Sequence, residues 1–178
     1  MSVLRLCSAM ACCLFCAASL LGQKEKREPL TETQIEAIRE AGNNPDERVK
    51  LYTKYLDDHA ETLKALGKRV HSSARAHRIS DELLDFTALM DELGSNLDTY
   101  SDRKADIRKA LKLLNEATPR WLEVLRSLDS EPVYELALKE SIESHHDLAE
   151  QAATLLKDQT DYFQQHKDEQ GQERAEPK

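Results

Sequence analysis

Glu143-x-x-His146 is the pattern in this chain with the most direct route to chemistry. On a helix, a carboxylate and an imidazole three residues apart share a face, as bundle proteins use them to hold metal. His145 beside this pair and His59 upstream both fall on apolar seams, so a full ligand set would be His59, Glu143, His145 and His146. A dinuclear carboxylate site needs a second such pair and two further glutamates, and no second E-x-x-H occurs. Counted from the helix ends, His59 and His145 are offset by about 9 Å along the bundle axis. Ligands of one metal must both approach to about 2.1 Å. The four are therefore expected not to converge, and no metal or other cofactor is expected. A haem held by Met90 with His59 or His145 would need small residues opposite, where Leu and Tyr stand instead. Ser144-His145-His146-Asp147 holds the residue types of a catalytic triad, but successive side chains on a helix diverge by about 100°. Among 33 acidic residues no pair stands out as an acid/base couple, so no enzyme is expected. Trp121, the single tryptophan, reads as a core anchor.

A second cluster is basic: Lys68, Arg69, His71, Arg75, His77 and Arg78. Placed at the end of a helix, these residues complement the negative pole of its dipole, which is the favoured reading. The functional reading is a docking patch for an acidic partner or an anionic wall polymer, contributed by Arg69, His71, Arg75, His77 and Arg78. Its two histidines would strengthen docking at lower pH.

These groups sit in an acidic chain of 178 residues with net charge −8, which disfavours nucleic acid and anionic membrane surfaces as partners. Only 5 Gly and 5 Pro occur, too few for the turns of a multi-strand domain. The five glycines fit neither G-x-G-x-x-G nor a P-loop. Residues 1–22 have a short n-region with Arg5, an apolar run of about 16 residues and Gly22 before a charged stretch. That is the pattern of a cleaved signal peptide, too short for a membrane span. The expected location is periplasmic or secreted, with no stable span after cleavage. Cys7, Cys12, Cys13 and Cys16 all lie in this segment. The mature chain would then have no disulfide, thiolate nucleophile or cysteine-held metal.

The elements that must position the candidates are helices. Thr31 and Gln34 form a T-x-x-Q capping box opening a short helix that ends at Ala41 before Gly42. Asn44-Pro45 caps and starts a second, expected to run to about Arg78. Val49, Tyr52, Leu56, His59, Leu63, Leu66 and Val70 give it a heptad seam. Ser80 is expected to cap a third helix carrying Ile79, Leu83, Phe86, Met90, Leu93, Leu97 and Tyr100. Ile107, Leu111, Leu114, Thr118, Trp121, Leu125 and Leu128 continue the spacing. Residues 101–106 read either as a turn, the preferred reading, or as unbroken helix. Pro119 predicts a kink or restart. A last helix is expected from Pro132, with Tyr134, Leu138, Ser141, His145, Leu148, Ala152, Leu155, Gln159 and Tyr162 on its seam. The expected fold is all-α: an elongated antiparallel up-down bundle of three or four long helices with a short N-terminal helix. Its divisions are a signal peptide (1–22), an N-terminal segment (23–44), the bundle (45–166) and an unstructured tail (167–178).

Leu30-Thr31-x-x-Gln34, opening a helix shortly after the signal peptide, resembles the LTxxQ motif of the small periplasmic stress chaperones of the Spy/CpxP type. That family carries the motif twice and presents a concave, often basic surface; here one copy is present. The longer run from Leu30 to about Leu128, including Asn-Pro-Asp-Glu-Arg-Val-Lys-Leu-Tyr at 44–52 and Arg-Lys-Ala-Asp-Ile-Arg-Lys-Ala-Leu-Lys at 103–112, resembles uncharacterised exported helical proteins of bacteria. The resemblances imply an envelope or extracellular setting. The expected function is that of a non-catalytic bundle acting in protein interaction or in envelope structure and stress. The alternative is a metal- or cofactor-binding bundle. Partner and oligomeric state are left open.

Overall fold

The structure is a computed structural model in which residues 28–171 are described; the expected signal peptide and residues 172–178 lie outside that range. Among the described residues five α-helices occur in the order α1 (Glu32–Glu40), α2 (Pro45–Gly67), α3 (Ser73–Asp102), α4 (Arg108–Ser127) and α5 (Glu135–Gln165). No strand occurs among the described residues, so the chain is an all-α bundle. None of its helices there is long and apolar enough to cross a membrane.

Local chemistry sets most of the boundaries. The Thr31 hydroxyl accepts the Gln34 amide at 3.3 Å, and Gln34 Oε1 accepts the Thr31 amide at 2.8 Å, completing the capping box. Gly42, at φ +54°, turns the chain out of α1. Asn44 Oδ1 accepts the Glu47 amide at 3.0 Å, with Pro45 at the first helical position of α2.

The next boundary corrects the expectation. α2 stops at Gly67 rather than near Arg78, and Ser72, not Ser80, caps α3 by accepting the Arg75 amide at 3.2 Å. Gly67 is a poor helix former and sits where an added Cβ would meet Leu128 Cδ2 at 3.2 Å. Val70 therefore leaves the seam and is 89% exposed, although its spacing matches the heptad.

Residues 103–107 form a turn, so there are four long helices. It is a Schellman motif: the Ala105 amide bonds the Tyr100 carbonyl at 3.0 Å and the Lys104 amide bonds Ser101 at 2.9 Å. Lys104, at φ +52°, holds the left-handed position usually given to glycine. α4 has no side-chain cap of its own on Ile107. Instead Asp46 Oδ1, from the start of α2, accepts the Ala110 amide at 2.9 Å. Gln159 of α5 accepts the Ile107 amide at 3.1 Å and donates to the Ala105 carbonyl at 2.8 Å.

Pro119 neither ends nor restarts α4, which is one helix through it. Residues 132–134 are a turn, so α5 begins at Glu135 rather than Pro132. Lys167–Glu169, expected to be unstructured, form a 3-10 turn. Around it Tyr162 donates to Glu169 at 2.6 Å and Gln170 donates to the Phe163 carbonyl at 2.7 Å.

The helices pack α2 on α3, α3 on α5, α5 on α4 and α4 on α2, which leaves α2/α5 and α3/α4 diagonal. Cross-helix hydrogen bonds give the directions. Tyr52–Glu92 and His59–Glu82 run oppositely along α2 and α3, so that pair is antiparallel. His145–Thr118 and Gln159–Ala105 make α4/α5 antiparallel as well. Asp46–Ala110 and Asp57–Trp121 rise together, so the neighbours α2 and α4 are parallel. Ser141–Leu83 and Gln151–Gly94 do the same for α3 and α5. The turn at 103–107 thus crosses the bundle end diagonally. The seam leucines, with Phe86 edge-on to Trp121 at 5.9 Å between centroids, fill the interior. α1 lies against α2, and Leu30 and Ile38 join the same core.

Candidate functional site

The break at Gly67 gathers the predicted basic cluster around the end of the bundle where α2 meets α3 and α4 meets α5. Arg75 is separated from the rest. With α3 starting at Ser73, Arg75 is in the first turn and points inward, only 4% exposed. Its Nε donates to the Leu66 carbonyl at 3.0 Å and its Nη2 to Gly67 at 3.1 Å, so it does complement the C-terminal pole of α2, from the following helix. Nη1 pairs with Glu131 in the α4–α5 turn. His71 faces Asp129 at 3.3 Å and Glu131 at 3.2 Å. Tyr134, buried, donates to the Asp129 carbonyl at 2.6 Å. The two turns are therefore clamped together. Arg75 is a structural member of that clamp and not an exposed docking residue, which corrects its assignment.

Lys68, Arg69, His77 and Arg78 remain exposed and make no side-chain hydrogen bond or ion pair among the described residues. Arg69 flanks the bare Val70 side chain. Leu136, 69% exposed, and Val133, 45% exposed, belong to the clamped partner turn and the start of α5. The sequence does not announce these three exposed apolar residues, because the spacing of Val70 matches the heptad core and the other two break no periodicity.

The metal candidates are dispersed. His59 of α2 bonds Glu82 Oε1 through Nδ1 at 2.7 Å and the Pro29 carbonyl through Nε2 at 3.2 Å. Burial lowers its pKa, but the Glu82 bond and charge and the Pro29 carbonyl outweigh this and leave it above the usual histidine value. His145 of α5 is buried, and its Nε2–H donates to the Thr118 carbonyl at 2.7 Å, leaving Nδ1 occluded without a partner. Burial holds its pKa below the usual value, against the Thr118 bond and helped by the charges of His146 and Arg126. Glu143 and His146 face solvent. Among the described residues no group of three His, Cys, Asp or Glu could hold a metal ion. Glu82 and the Thr118 carbonyl, the real partners of the two seam histidines, come from neighbouring helices and had no sequence signal.

Comparison with known proteins finds no family model, no curated protein and no solved structure that matches this chain.

Proposed function

We propose that this protein is an exported, non-catalytic helical bundle that acts by binding another polypeptide, and that it does so through the end formed by the α2–α3 and α4–α5 turns. One observation carries the reading: in a chain of net charge −8, Lys68, Arg69, His77 and Arg78, exposed and without an ion pair among the described residues, flank the α2–α3 turn that exposes Val70, and that turn is clamped to the one leading into exposed Val133 and Leu136. Exposed aliphatic groups beside cations that have no ion-pair partner among the described residues suit a partner carrying apolar side chains among acidic ones. An unfolded segment of an acidic protein has that chemistry. The Arg75–Glu131 clamp keeps the two turns in fixed register, so the surface is held ready before a partner arrives. Location in the envelope or outside the cell rests on the signal-peptide pattern of residues 1–22.

The test is suppression of aggregation of an acidic reporter protein as it unfolds, at near-equal molar ratio. The expected result is suppression by the wild type that weakens in Val70→Asp/Leu136→Asp and in Arg69→Glu/Arg78→Glu, each checked for helix content. His59→Ala should retain it. Equal activity in wild type and both double variants, or none in the wild type, would remove the reading.

A further inference from the structure

Residues 28–41 lie as a strap along α2. Its helix, α1, has nine residues, fewer than the ~12–15 that an isolated helix needs to persist in water. Leu30 and Ile38 bury themselves in the common core, and Ile35 packs partly against it. Behind the strap, Leu30, Ile35 and Ile38 share a recess with Arg48, Tyr52 and Glu92. At the far end of the strap, Gly42 in the left-handed region leads through Asn43 into α2. Asn44 caps α2 by accepting the Glu47 amide, so α2 begins without help from α1.

The start of the strap is tied down by His59 of α2. The imidazole Nδ1 stands 2.7 Å from Glu82 Oε1 on α3, and its Nε2 stands 3.2 Å from the Pro29 carbonyl. A carbonyl oxygen and an ionised carboxylate can only accept. The ring therefore satisfies both by donating from both nitrogens, which is the imidazolium form. A neutral ring has one N–H. It must turn a lone pair toward either the Pro29 carbonyl or the Glu82 carboxylate, and that contact becomes repulsive. Burial works against the charged ring, but Glu82, the Pro29 carbonyl and Asp85 of α3 outweigh it and raise the His59 pKa. On the α4 side of α2, Arg120 is spent on Asp57 at 3.1 Å. The His59 side chain keeps 15% exposure, so its proton exchanges with water.

We infer that His59 is a proton-operated latch on this strap: charged, it ties residues 28–41 to the α2–α3 face, and neutral, it releases them. Neutralisation removes a charge-assisted hydrogen bond from a segment whose other anchors include Leu30, Ile35 and Ile38. Loss of one such bond shifts an opening equilibrium by about tenfold or more. Because α1 is too short to persist alone, undocking and unwinding occur together. Release uncovers the side of α2 that carries Arg48 and Tyr52, while the four long helices keep their mutual packing. The strap is shut in acid and opens as pH rises through the folded pKa of His59. The latch does not depend on the polypeptide-binding end.

Amide hydrogen exchange of the full chain at about pH 5.5 and about pH 8.5 tests the latch, each rate being divided by that of an unstructured peptide at the same pH. Between the two, protection of residues 35–41 should fall about tenfold or more, with a clearly smaller change in residues 86–97 of α3. In His59→Gln, neutral throughout, protection of residues 35–41 should no longer depend on pH, and protected residues 86–97 show that the bundle is folded. Leu30→Asp should lower protection of residues 35–41 at both pH values, because it undocks the strap without touching the latch. Three results would overturn the latch. They are strap protection independent of pH in the wild type, an equal loss in residues 86–97, and an unchanged pH dependence in His59→Gln.

Discussion

Arg75 is the residue whose role changes most once the structure is in hand, and its replacement tests the clamp directly. Truncation to alanine removes the Gly67 carbonyl's side-chain donor, one donor to Leu66 and the partner of Glu131. Breaking a buried charge pair costs about 3–5 kcal/mol, and a hydrogen bond to a charged group contributes about 1.5–3 kcal/mol. Two features hold the cost toward the lower end. Glu131 keeps 23% side-chain exposure and can rehydrate, and the Leu66 carbonyl keeps the Arg69 amide at 3.1 Å. The expected loss is about 3–4 kcal/mol. At about 2–4 °C per kcal/mol for a chain of this size, melting should fall by about 6–16 °C. Arg75→Lys keeps the charge but cannot reach two carbonyls and a carboxylate at once, so it should lose roughly half as much. Arg78→Ala, three residues on and exposed, should stay within about 0.5 kcal/mol of wild type. Urea denaturation followed by circular dichroism measures all three. If Arg75→Ala and Arg78→Ala destabilise equally, the clamp reasoning is wrong.

The two seam histidines give stability opposite dependences on pH. His145 is harder to protonate folded than unfolded. Between its folded pKa and the unfolded value of about 6.5 the unfolded chain binds more protons, so its contribution is present above 6.5 and declines as pH falls. His59 is easier to protonate folded, so its contribution is complete below about 6.5 and is lost as pH rises through its folded pKa. Melting temperatures from pH 4.5 to 9 should show the acid-side loss shrinking in His145→Asn and the alkaline-side loss shrinking in Glu82→Gln. Lys104→Gly relieves a left-handed backbone position and should stabilise by about 1 kcal/mol, read as a melting temperature about 2–4 °C higher. Leu93→Ala, at a fully buried seam position, should cost about 2–5 kcal/mol in urea denaturation, while exposed Asp58→Ala should change little.

What was legible in the sequence follows a physical divide between local and non-local signals. Capping at Thr31 and Asn44 involves residues three apart, and both caps form as read. The leucine seams from Ile79 to Tyr100 and from Ile107 to Leu128 are buried because periodicity alone selects an inward face. Periodicity also misleads: Val70 keeps heptad phase across the break that Gly67 and Ser72 make, so the spacing alone puts the start of α3 later than Ser73. With the helix starting at Ser73, Arg75 precedes the inward stripe of Ala76, Ile79 and Leu83, and its burial follows. The turn at 103–107 had no glycine to announce it, because Lys104 fills the left-handed position. The cap of α4 comes from Asp46 and Gln159, 64 and 52 residues away, and no window of sequence contains both donor and acceptor. The diagonal placement of α3 and α4 has the same origin: a seam specifies that a helix is packed, not which neighbour it meets. Phe163, 1% exposed, was missed beside Tyr162, whose spacing matched the heptad.

The central claim is the location of the polypeptide-binding surface, and amide hydrogen exchange of the full chain with and without a permanently unfolded acidic polypeptide tests it most directly. Protection on binding is predicted in residues 67–78 and 128–137, weakening as salt rises, with residues 101–108 at the other end unchanged. Protection confined to 101–108 or to the middle turns of the helices, or no protection at a saturating concentration of the polypeptide, would contradict the account.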